Sequence, residues 1–225
     1  MKTPQKYVIG IDEAGRGPLA GPVAVGVACV PHDFDWELLP GVGDSKKVSP
    51  KNREAIFRRA QQLQKEGKLL YSVSMTSPKT IDRIGIVPSI TKAMSKALQK
   101  NHKTLNNKPL PRQRLGIGIE TDREYLSAGS EFIVKLDGGL KAPLEYIHQE
   151  TIIKGDAKEK VIGLASIMAK VTRDHKMIAL STKLPYTMYG FDVHKGYGTK
   201  AHRERILKHG LSKEHRITFC KNLKK

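Results

Sequence analysis

Two adjacent acids, Asp12 and Glu13, are the residues of this sequence best suited to chemistry, and they follow an apolar run at residues 7–11. They stand in a chain whose 40 Lys and Arg residues outnumber its 22 Asp and Glu residues, which gives a formal net charge of +18. A positive surplus of this size favours a polyanionic partner, and carboxylates inside the same surface would repel that partner unless they hold metal ions. The pair therefore indicates metal-dependent chemistry on phosphodiesters.

The same arrangement occurs again further along the chain. The β-branched runs at residues 132–136 and 151–154 lead into Asp137 and Asp156, each of which stands beside a glycine. Side chains in the loops beyond strand ends commonly form the sites of α/β sheets, so we expect both aspartates to join the first pair. An aspartate beside a glycine is also an ordinary turn residue. Three strands that each deliver an acid favour the interpretation as a site.

Hydrophobic patterning predicts an α/β fold in which strands come first and then alternate with helices. One helix begins after Ser49, a good N-cap that is followed by a proline, and a second follows Pro88. A third helix follows Asp156, and small residues on its apolar face predict close packing against the sheet. The polar segment 101–114 is expected to be an exposed connection. Strands are predicted at residues 7–11, 23–30, 69–75, 115–119, 132–136 and 151–154.

The acidic pair poses a geometric requirement. Adjacent residues of a strand point to opposite faces, so Asp12 and Glu13 can share one site only if the strand ends or distorts at that pair. The glycines of the segment that follows, Gly15 and Gly17, make such an end plausible because glycine adopts backbone conformations that other residues avoid. We therefore expect the first strand to end at the acidic pair.

Length and composition suit one medium domain, or one domain with a small appendage, because 225 residues with 39% hydrophobic content can fill a core. We expect a main catalytic domain at residues 1–185, with a substrate-binding loop and a basic helical segment at residues 186–225 packed on it. No apolar run reaches the ~20 residues that a bilayer-spanning helix needs, and no secretory signal is recognisable, which predicts a cytoplasmic location. Cys29 and Cys220 lack metal or disulfide spacing and are predicted to be reduced thiols.

The C-terminal part of the chain is strongly basic. Residues 195–225 contain ten Lys and Arg residues against two acids. This composition predicts a surface that tracks a phosphate backbone, and the alternative is a solvated helical end. His194, His202 and His215 lie in or beside this segment without the spacing of a zinc site. We interpret them as phosphate contacts or as local structure, because hard cations such as Mg²⁺ prefer oxygen ligands.

Five segments of the sequence resemble the motifs of type 2 ribonuclease H, the bacterial ribonuclease HII, and they stand in the order of that family. The segments spread over most of the chain, and the first and last are the most specific. The sequence is therefore identified as a member of this family. The segments are DEAGRGPLAGP at residues 12–22, DSKK at 44–47, KGDAK at 154–158, ASIMAKVTRD at 165–174 and HKGYGT at 194–199.

The resemblance implies the ribonuclease H-like fold, an α/β fold with a mixed five-stranded sheet flanked by helices and a small basic helical appendage at the C-terminus. It implies an endonuclease that hydrolyses the RNA strand of RNA–DNA hybrids and leaves a 5′-phosphate. It further implies nicking of duplex DNA 5′ of embedded ribonucleotides, as in ribonucleotide and primer removal. The expected partners are these two nucleic acids, with no membrane contact, and the expected state is a monomer.

Matched residue by residue, the catalytic and metal-binding carboxylates of the family correspond to Asp12, Glu13, Asp137 and Asp156. They would hold two Mg²⁺ or Mn²⁺ ions roughly 4 Å apart, since both are hard cations that take oxygen ligands. One ion would activate water and the other would stabilise the leaving oxygen. Asp174 is the alternative ligand, and its position within or at the end of a helix favours a structural role.

The resemblance also implies a set of substrate contacts. The Gly-Arg-Gly segment at residues 15–17 matches the loop whose backbone approaches the ribose 2′-OH, which only glycines permit. Tyr197 matches the tyrosine that packs on the next deoxyribose and explains a preference for an RNA-to-DNA junction. Lysines at 46 and 47 are expected to contact phosphates, the alternative being a solvated turn. The predicted substrate-binding residues are Gly15, Arg16, Gly17, Lys46, Lys47 and Tyr197.

Two of the departures from the family pattern are glycines. Gly139 and Gly85 stand where the family usually has asparagine, and the first of these is close to Asp137. That change and the basic tail motivate an alternative, a nucleic-acid-binding protein that kept the fold and lost catalysis. A third hypothesis is a nuclease of the same fold that acts on plain DNA or structured RNA. The Gly-Arg-Gly segment and Tyr197 argue against it.

Overall fold

A computed structural model describes residues 7–43, 48–107 and 132–223, with the side chains of 105–107 left out. It contains a five-stranded sheet in the order β3-β2-β1-β4-β5. The first three strands pair antiparallel, whereas β4 runs parallel to β1 and β5 parallel to β4. The mixed five-stranded sheet that the sequence predicted is therefore confirmed. The strands are β1 (Tyr7–Ala14), β2 (Val23–Pro31), β3 (Leu70–Thr76), β4 (Phe132–Asp137) and β5 (Gln149–Ile152).

Helices cover both faces of the sheet, and local sequence explains where several of them begin. The hydroxyl of Ser49 accepts a hydrogen bond from the Asn52 backbone N–H, and that of Ser77 accepts one from Thr80, so each caps the helix that follows it. The helices are α1 (Pro50–Lys65), α2 (Pro78–Ile84), α3 (Ile86–Asn107), α4 (Gly155–Lys158), α5 (Lys160–Ser181), α6 (Phe191–His194), α7 (Lys200–His209) and α8 (Ile217–Cys220), with 3₁₀ turns at Trp36–Leu38 and Tyr186–Tyr189.

Close packing of α5 on the sheet sets the geometry beside the acidic pair. A Cβ atom added at Gly10 in β1 would lie 2.2 Å from the Val161 carbonyl oxygen, and one at Gly26 in β2 would lie 2.2 Å from that of Ala165. Side chains larger than hydrogen would push the helix away from the strands. The glycines let α5 approach closely enough for Ser166 to contact β1. On the opposite face, α3 packs against the apolar side chains of β1, β2 and β4.

Several element boundaries differ from the sequence prediction. The first strand does not end at the acidic pair but continues to Ala14, since its pairing with β2 extends that far. The last strand is Gln149–Ile152 rather than 151–154, so Asp156 lies in α4 and not at a strand end. The expected exposed connection at 101–114 is wrong at its start, because α3 runs to Asn107 and buries Asn101. The strand predicted at 115–119 lies outside the described residues.

Asn101 shows why polarity misled the prediction in that segment. Its side-chain amide donates a hydrogen bond to the Val27 carbonyl of β2, 3.3 Å away, although it is almost fully buried. A buried polar side chain with a backbone partner is compatible with a core helix.

Within the described ranges, no helix is long and apolar enough to cross a membrane.

Candidate active site

A cavity of about 270 Å³ opens at the end of β1. It brings together three of the four predicted carboxylates with the Gly-Arg-Gly segment and Tyr197. It also contains Arg53, Ser166 and Lys170, which the sequence analysis did not assign to the site. Lys46 and Lys47 lie outside the described residues. The lining residues are Asp12, Glu13, Ala14, Gly15, Arg16, Gly17, Arg53, Asp137, Ser166, Lys170 and Tyr197.

Asp12 is the buried member of the acidic pair, with 5% of its surface exposed. One carboxylate oxygen accepts the Glu13 backbone N–H at 2.7 Å, and Ser166 of α5 donates a second hydrogen bond. Burial raises the pKa of Asp12 to about 8, and the nearby charges of Glu13 and Asp137 act in the same direction. The ionised form of Asp12 therefore lacks a compensating positive charge.

Glu13 reaches the same cavity although it points to the other face of β1. The pairing of β1 with β4 stops at Ile11 opposite Leu136, so β4 does not pair with Glu13. Because β1 continues past β4, side chains from both faces of β1 can meet beyond the end of β4. The Glu13 carboxylate lies 3.2 Å from the Arg16 guanidinium. Burial raises the pKa of Glu13, and the hydrogen bond and charge of Arg16 oppose this effect.

Asp137 and Asp156 are linked through the start of α4. Asp137 is the last residue of β4, and its carboxylate accepts the Gly155 backbone N–H at 2.6 Å. A Cβ atom at Gly155 would lie 2.7 Å from a methyl group of Ile162, so this position excludes side chains. Asp156 follows directly and is buried. It is not among the residues that line the cavity.

The carboxylates suit a hard divalent cation by their chemistry. Oxygen ligands of this kind are those that Mg²⁺ and Mn²⁺ take in proteins, and a cation would supply the positive charge that buried Asp12 lacks. Across residues 7–43, 48–107 and 132–223, no group of three or more His, Cys, Asp or Glu side chains is already gathered closely enough to hold a metal ion. Glu13 is instead turned to Arg16, and Asp137 to Gly155. These oxygen ligands fit a metal site, and the side chains of Glu13 and Asp137 would have to turn toward a common ion to form it.

The Gly-Arg-Gly segment is hydrogen-bonded to Arg216, which is fully buried. Its guanidinium donates hydrogen bonds to the carbonyls of Gly15 at 2.7 Å, Arg16 at 2.9 Å and Gly21 at 3.0 Å. A planar guanidinium holds several acceptors in a fixed arrangement, which a flexible lysine cannot do. Arg216 stands in the basic tail, where nothing in the sequence distinguishes it from the solvated cations around it.

A second buried arginine, Arg173 of α5, supports the same segment and the loop of Tyr197. It donates hydrogen bonds to the carbonyls of Pro22 at 2.9 Å and Ala20 at 3.1 Å. Its guanidinium carbon lies 5.7 Å from the centre of the Tyr197 ring, within the range of a cation–π contact. A Cβ atom at Gly15 would lie 2.0 Å from its Nε atom. The arginine side chain therefore occupies the space that any residue other than glycine would need.

The loop that carries Tyr197 is joined directly to the segment after the acidic pair. The Gly196 carbonyl accepts hydrogen bonds from the backbone N–H groups of Leu19, at 2.9 Å, and Ala20, at 3.2 Å. Tyr197 itself is 41% exposed at the cavity, and the ammonium of Lys170 lies 5.6 Å from its ring. The loop of Tyr197 is therefore hydrogen-bonded to the residues that follow the Gly-Arg-Gly segment.

The three histidines singled out by the sequence analysis, His194, His202 and His215, are local structure and not phosphate contacts, because all three are buried. His202 Nδ1 donates to the Tyr197 carbonyl at 2.8 Å, which leaves its Nε2 to accept from His215 Nε2 at 3.1 Å. His215 Nδ1 then accepts from the Ser212 backbone at 2.9 Å. These partners fix both rings as neutral tautomers, since a proton on His202 Nε2 would place two N–H groups face to face.

This arrangement predicts a stability that depends on pH. Burial lowers the pKa of His202 and of His215 from 6.5 to about 4, so between these values the unfolded chain binds more protons than the folded one. The stability that these two histidines contribute is complete above pH 6.5 and is lost as the pH falls toward 4. We expect this loss to lower the free energy of unfolding, measured with denaturant, by about 3 kcal/mol between pH 7 and 5. The raised pKa of Asp12 acts in the opposite direction over the same range, so the histidine contribution is the difference between the wild type and a histidine variant.

Glutamine substitutions separate this effect from general acid sensitivity. His202→Gln should flatten the decrease between pH 7 and 5, because one of the titrating groups is gone. His175→Gln is the matched control, since His175 is half exposed and pairs with Glu54 on the surface. A decrease that remains equally steep in His202→Gln would contradict the assignment.

The sequence comparisons now identify the family. The model of the ribonuclease HII family matches residues 9–110 and 133–222. The chain belongs to the ribonuclease HII family. It is therefore a ribonuclease H, an endonuclease that acts on RNA–DNA hybrids. The metal-ion dependence implied by the sequence motifs is in line with this assignment.

Individual relatives agree with the family match over almost the whole chain. The enzyme is 39% identical over 218 residues to a ribonuclease HII of Caldicellulosiruptor bescii, which covers 97% of this chain and 88% of the relative. The crystal structure of ribonuclease H2 from Pyrococcus horikoshii matches with a TM-score of 0.62 at 26% identity and covers 96% of both chains. Bst-RNase HIII, solved in complex with Mn²⁺, shares the fold at a TM-score of 0.61 and 15% identity, with coverage of 96% of this chain and 67% of that one.

Proposed function

We propose that this enzyme nicks duplex DNA 5′ of embedded ribonucleotides in addition to hydrolysing the RNA strand of hybrids. The observation that carries the proposal is one cavity in which Asp12, Glu13 and Asp137 lie beside residues 15–17 and Tyr197. Carboxylates suited to hold metal ions and a loop suited to read a sugar are therefore within reach of the same phosphodiester.

We propose Asp12, Glu13, Asp137 and Asp156 as the residues that hold two Mg²⁺ or Mn²⁺ ions. When bound, such ions lower the pKa of water to make a nucleophile and stabilise negative charge on the leaving oxygen. The carboxylates of Asp12 and Glu13 contribute from the two faces of β1. The Gly155 N–H, which now contacts Asp137, keeps that carboxylate at the end of β4.

Recognition of the ribonucleotide rests on backbone groups of residues 15–17. Arg216 already holds the Gly15 and Arg16 carbonyls, and a Cβ atom at Gly17 would have no neighbour within 4 Å, so this side of the loop is open. An open backbone can approach a ribose 2′-OH closely, and that hydroxyl is the group that distinguishes RNA from DNA. The exposed ring of Tyr197 would pack on the next sugar.

Cations around the cavity would hold the phosphate backbone. Arg16, Arg53 and Lys170 line it, and such contacts position a duplex without reading its sequence. Lys46 and Lys47 remain predicted phosphate contacts. A monomeric state, a cytoplasmic location and the division of the chain at residue 185 also remain predictions.

A comparison of three duplexes tests the proposed function. We expect the enzyme, with Mn²⁺ or Mg²⁺, to cut a DNA duplex that contains one ribonucleotide and a full RNA–DNA hybrid, and to leave an all-DNA duplex intact. The products, separated by size, should show a single nick on the 5′ side of the ribonucleotide. Cleavage of all-DNA would favour a nuclease of different specificity, and binding without cleavage would favour a catalytically impaired binding protein.

A further inference from the structure

Asp82 lies outside the cavity, yet it is hydrogen-bonded to the segment that supports the Gly-Arg-Gly loop. It belongs to α2, and its carboxylate accepts three hydrogen bonds from the first turn of α8. The donors are the Ile217 N–H at 2.9 Å, the Thr218 N–H at 3.0 Å and the Thr218 hydroxyl at 2.6 Å. Thus a carboxylate 135 residues away in sequence anchors this turn to the body of the protein.

The first turn of α8 needs an external partner because its N-cap residue, Arg216, has only hydrogen-bond donors on its side chain. The guanidinium donates instead to the carbonyls of Gly15, Arg16 and Gly21. The free N–H groups of a first helical turn are normally satisfied by an acceptor on the N-cap side chain. Here Asp82 supplies that acceptor, while Arg216 faces the loop.

Charge and backbone geometry make this contact specific. Partial burial by itself would raise the pKa of Asp82, but the hydrogen bonds from Thr218 and Ile217 and the charge of Arg216 lower the pKa below its usual value. The carboxylate therefore stays ionised at neutral pH and remains an acceptor for all three donors. Because Ile217 follows Arg216 directly, fixing its N–H also fixes the orientation of the Arg216 backbone.

We propose that Asp82 is a positioning residue for ribonucleotide recognition, which acts by holding α8 so that Arg216 orients the Gly15 and Arg16 carbonyls. This inference rests on the proposed function of residues 15–17. The backbone supports the link at a second point, where the Arg216 N–H donates to the Leu19 carbonyl at 2.8 Å. Release of α8 would therefore loosen both the arginine and the segment after the loop.

Substitution of Asp82 by alanine tests the proposal against a matched control. We expect Asp82→Ala to lower kcat/KM on a duplex with one ribonucleotide about tenfold, equivalent to ~1.4 kcal/mol, at a temperature where the variant is fully folded. Asp82→Asn should recover most of this loss, because its amide oxygen still accepts both bonds from Thr218. Asp35→Ala removes another capping carboxylate, which accepts the Glu37 N–H at 3.0 Å far from the cavity, and should leave kcat/KM unchanged.

A double-substitution cycle shows whether the effect passes through Arg216. Arg216→Lys keeps the charge and loses the forked donor, so Asp82→Ala added to it should cause little further loss if both act on the same loop. The proposal would be overturned if the loss of kcat/KM in the double variant equalled the product of the two single losses. It would also be overturned if Asp82→Ala kept the same kcat/KM as Asp35→Ala.

Amide hydrogen exchange gives a readout that does not depend on activity. Peptides covering residues 14–22 should exchange faster in Asp82→Ala than in the wild-type enzyme, and at the wild-type rate in Asp35→Ala. Unchanged exchange in Asp82→Ala overturns the positioning role. A wild-type enzyme that fails to cut the ribonucleotide duplex overturns the proposed function instead, and the exchange result still decides whether Asp82 holds the loop.

Discussion

Asp12→Asn should abolish metal-dependent cleavage of a DNA duplex with one ribonucleotide, with a loss of at least about 10³-fold, equivalent to ~4 kcal/mol. The substitution removes the most buried carboxylate of the cavity and keeps its shape. The amide can retain the contacts that Asp12 makes with the Glu13 N–H and Ser166. Burial has already raised the pKa of Asp12, so burying a neutral amide there costs less than burying a carboxylate. The Asp12→Asn variant should therefore unfold at the same temperature as the wild type or at a higher one.

Nicking rates and melting temperatures, measured side by side, separate the chemical effect from a folding effect. Asp35→Asn provides the control, since it makes the same change in an exposed residue that caps a 3₁₀ turn away from the cavity. Removal of divalent ions from the wild type should reproduce the loss, and added Mn²⁺ should restore cleavage only in the wild type and the control. Undiminished nicking by Asp12→Asn would contradict the proposed metal site.

Alanine at Gly15 and at Gly17 should have very unequal effects on stability although the two glycines are two residues apart. Gly15 has a positive φ of 84°, and its added Cβ would lie 2.0 Å from Arg173 Nε, so Gly15→Ala should destabilise the fold by about 3 kcal/mol or more. Gly17 has open space at that position, and Gly17→Ala should change the free energy of unfolding by less than about 0.5 kcal/mol. Denaturant unfolding measures both values.

The same pair of variants distinguishes folding from recognition. A methyl group at Gly17 projects from the open side of the loop, so we expect Gly17→Ala to cut the single-ribonucleotide duplex at least about tenfold more slowly, the effect of losing one hydrogen bond to the 2′-OH. Its stability should meanwhile remain that of the wild type. Full activity in Gly17→Ala would show that residues 15–17 do not approach the sugar.

Both sets of variants address the overlap of the proposed metal-binding and sugar-binding regions at the end of β1. Asp12 and Glu13 lie near the end of β1, and the Gly-Arg-Gly segment begins two residues after Glu13. Few residues therefore separate the groups that would hold metal ions from those that would read the ribose. A shift of β1 relative to α5 would disturb both, which explains the close helix contacts at Gly10 and Gly26.

Much of the fold could be predicted from patterning, and the misses have physical causes. The strand at 132–137 and the helix after Ser49 were predicted well because alternation and capping are local signals. The continuation of β1 through Asp12 and Glu13 was missed, since strand pairing with β2 depends on a partner and outweighs the low β-propensity of acids. Asn101 was misjudged because its buried hydrogen bond to Val27 is a long-range contact.

The residues of the candidate site were likewise predicted only in part from the sequence. The acids at the ends of predicted strands pointed to Asp12 and Glu13, whereas the resemblance to ribonuclease HII pointed to the glycines after them and to Tyr197. The supporting residues Arg173 and Arg216 gave no such signal, since the sequence does not show whether an arginine is buried or solvated. Only the tertiary structure decided which charges are desolvated, because burial depends on packing between elements that lie far apart in the chain.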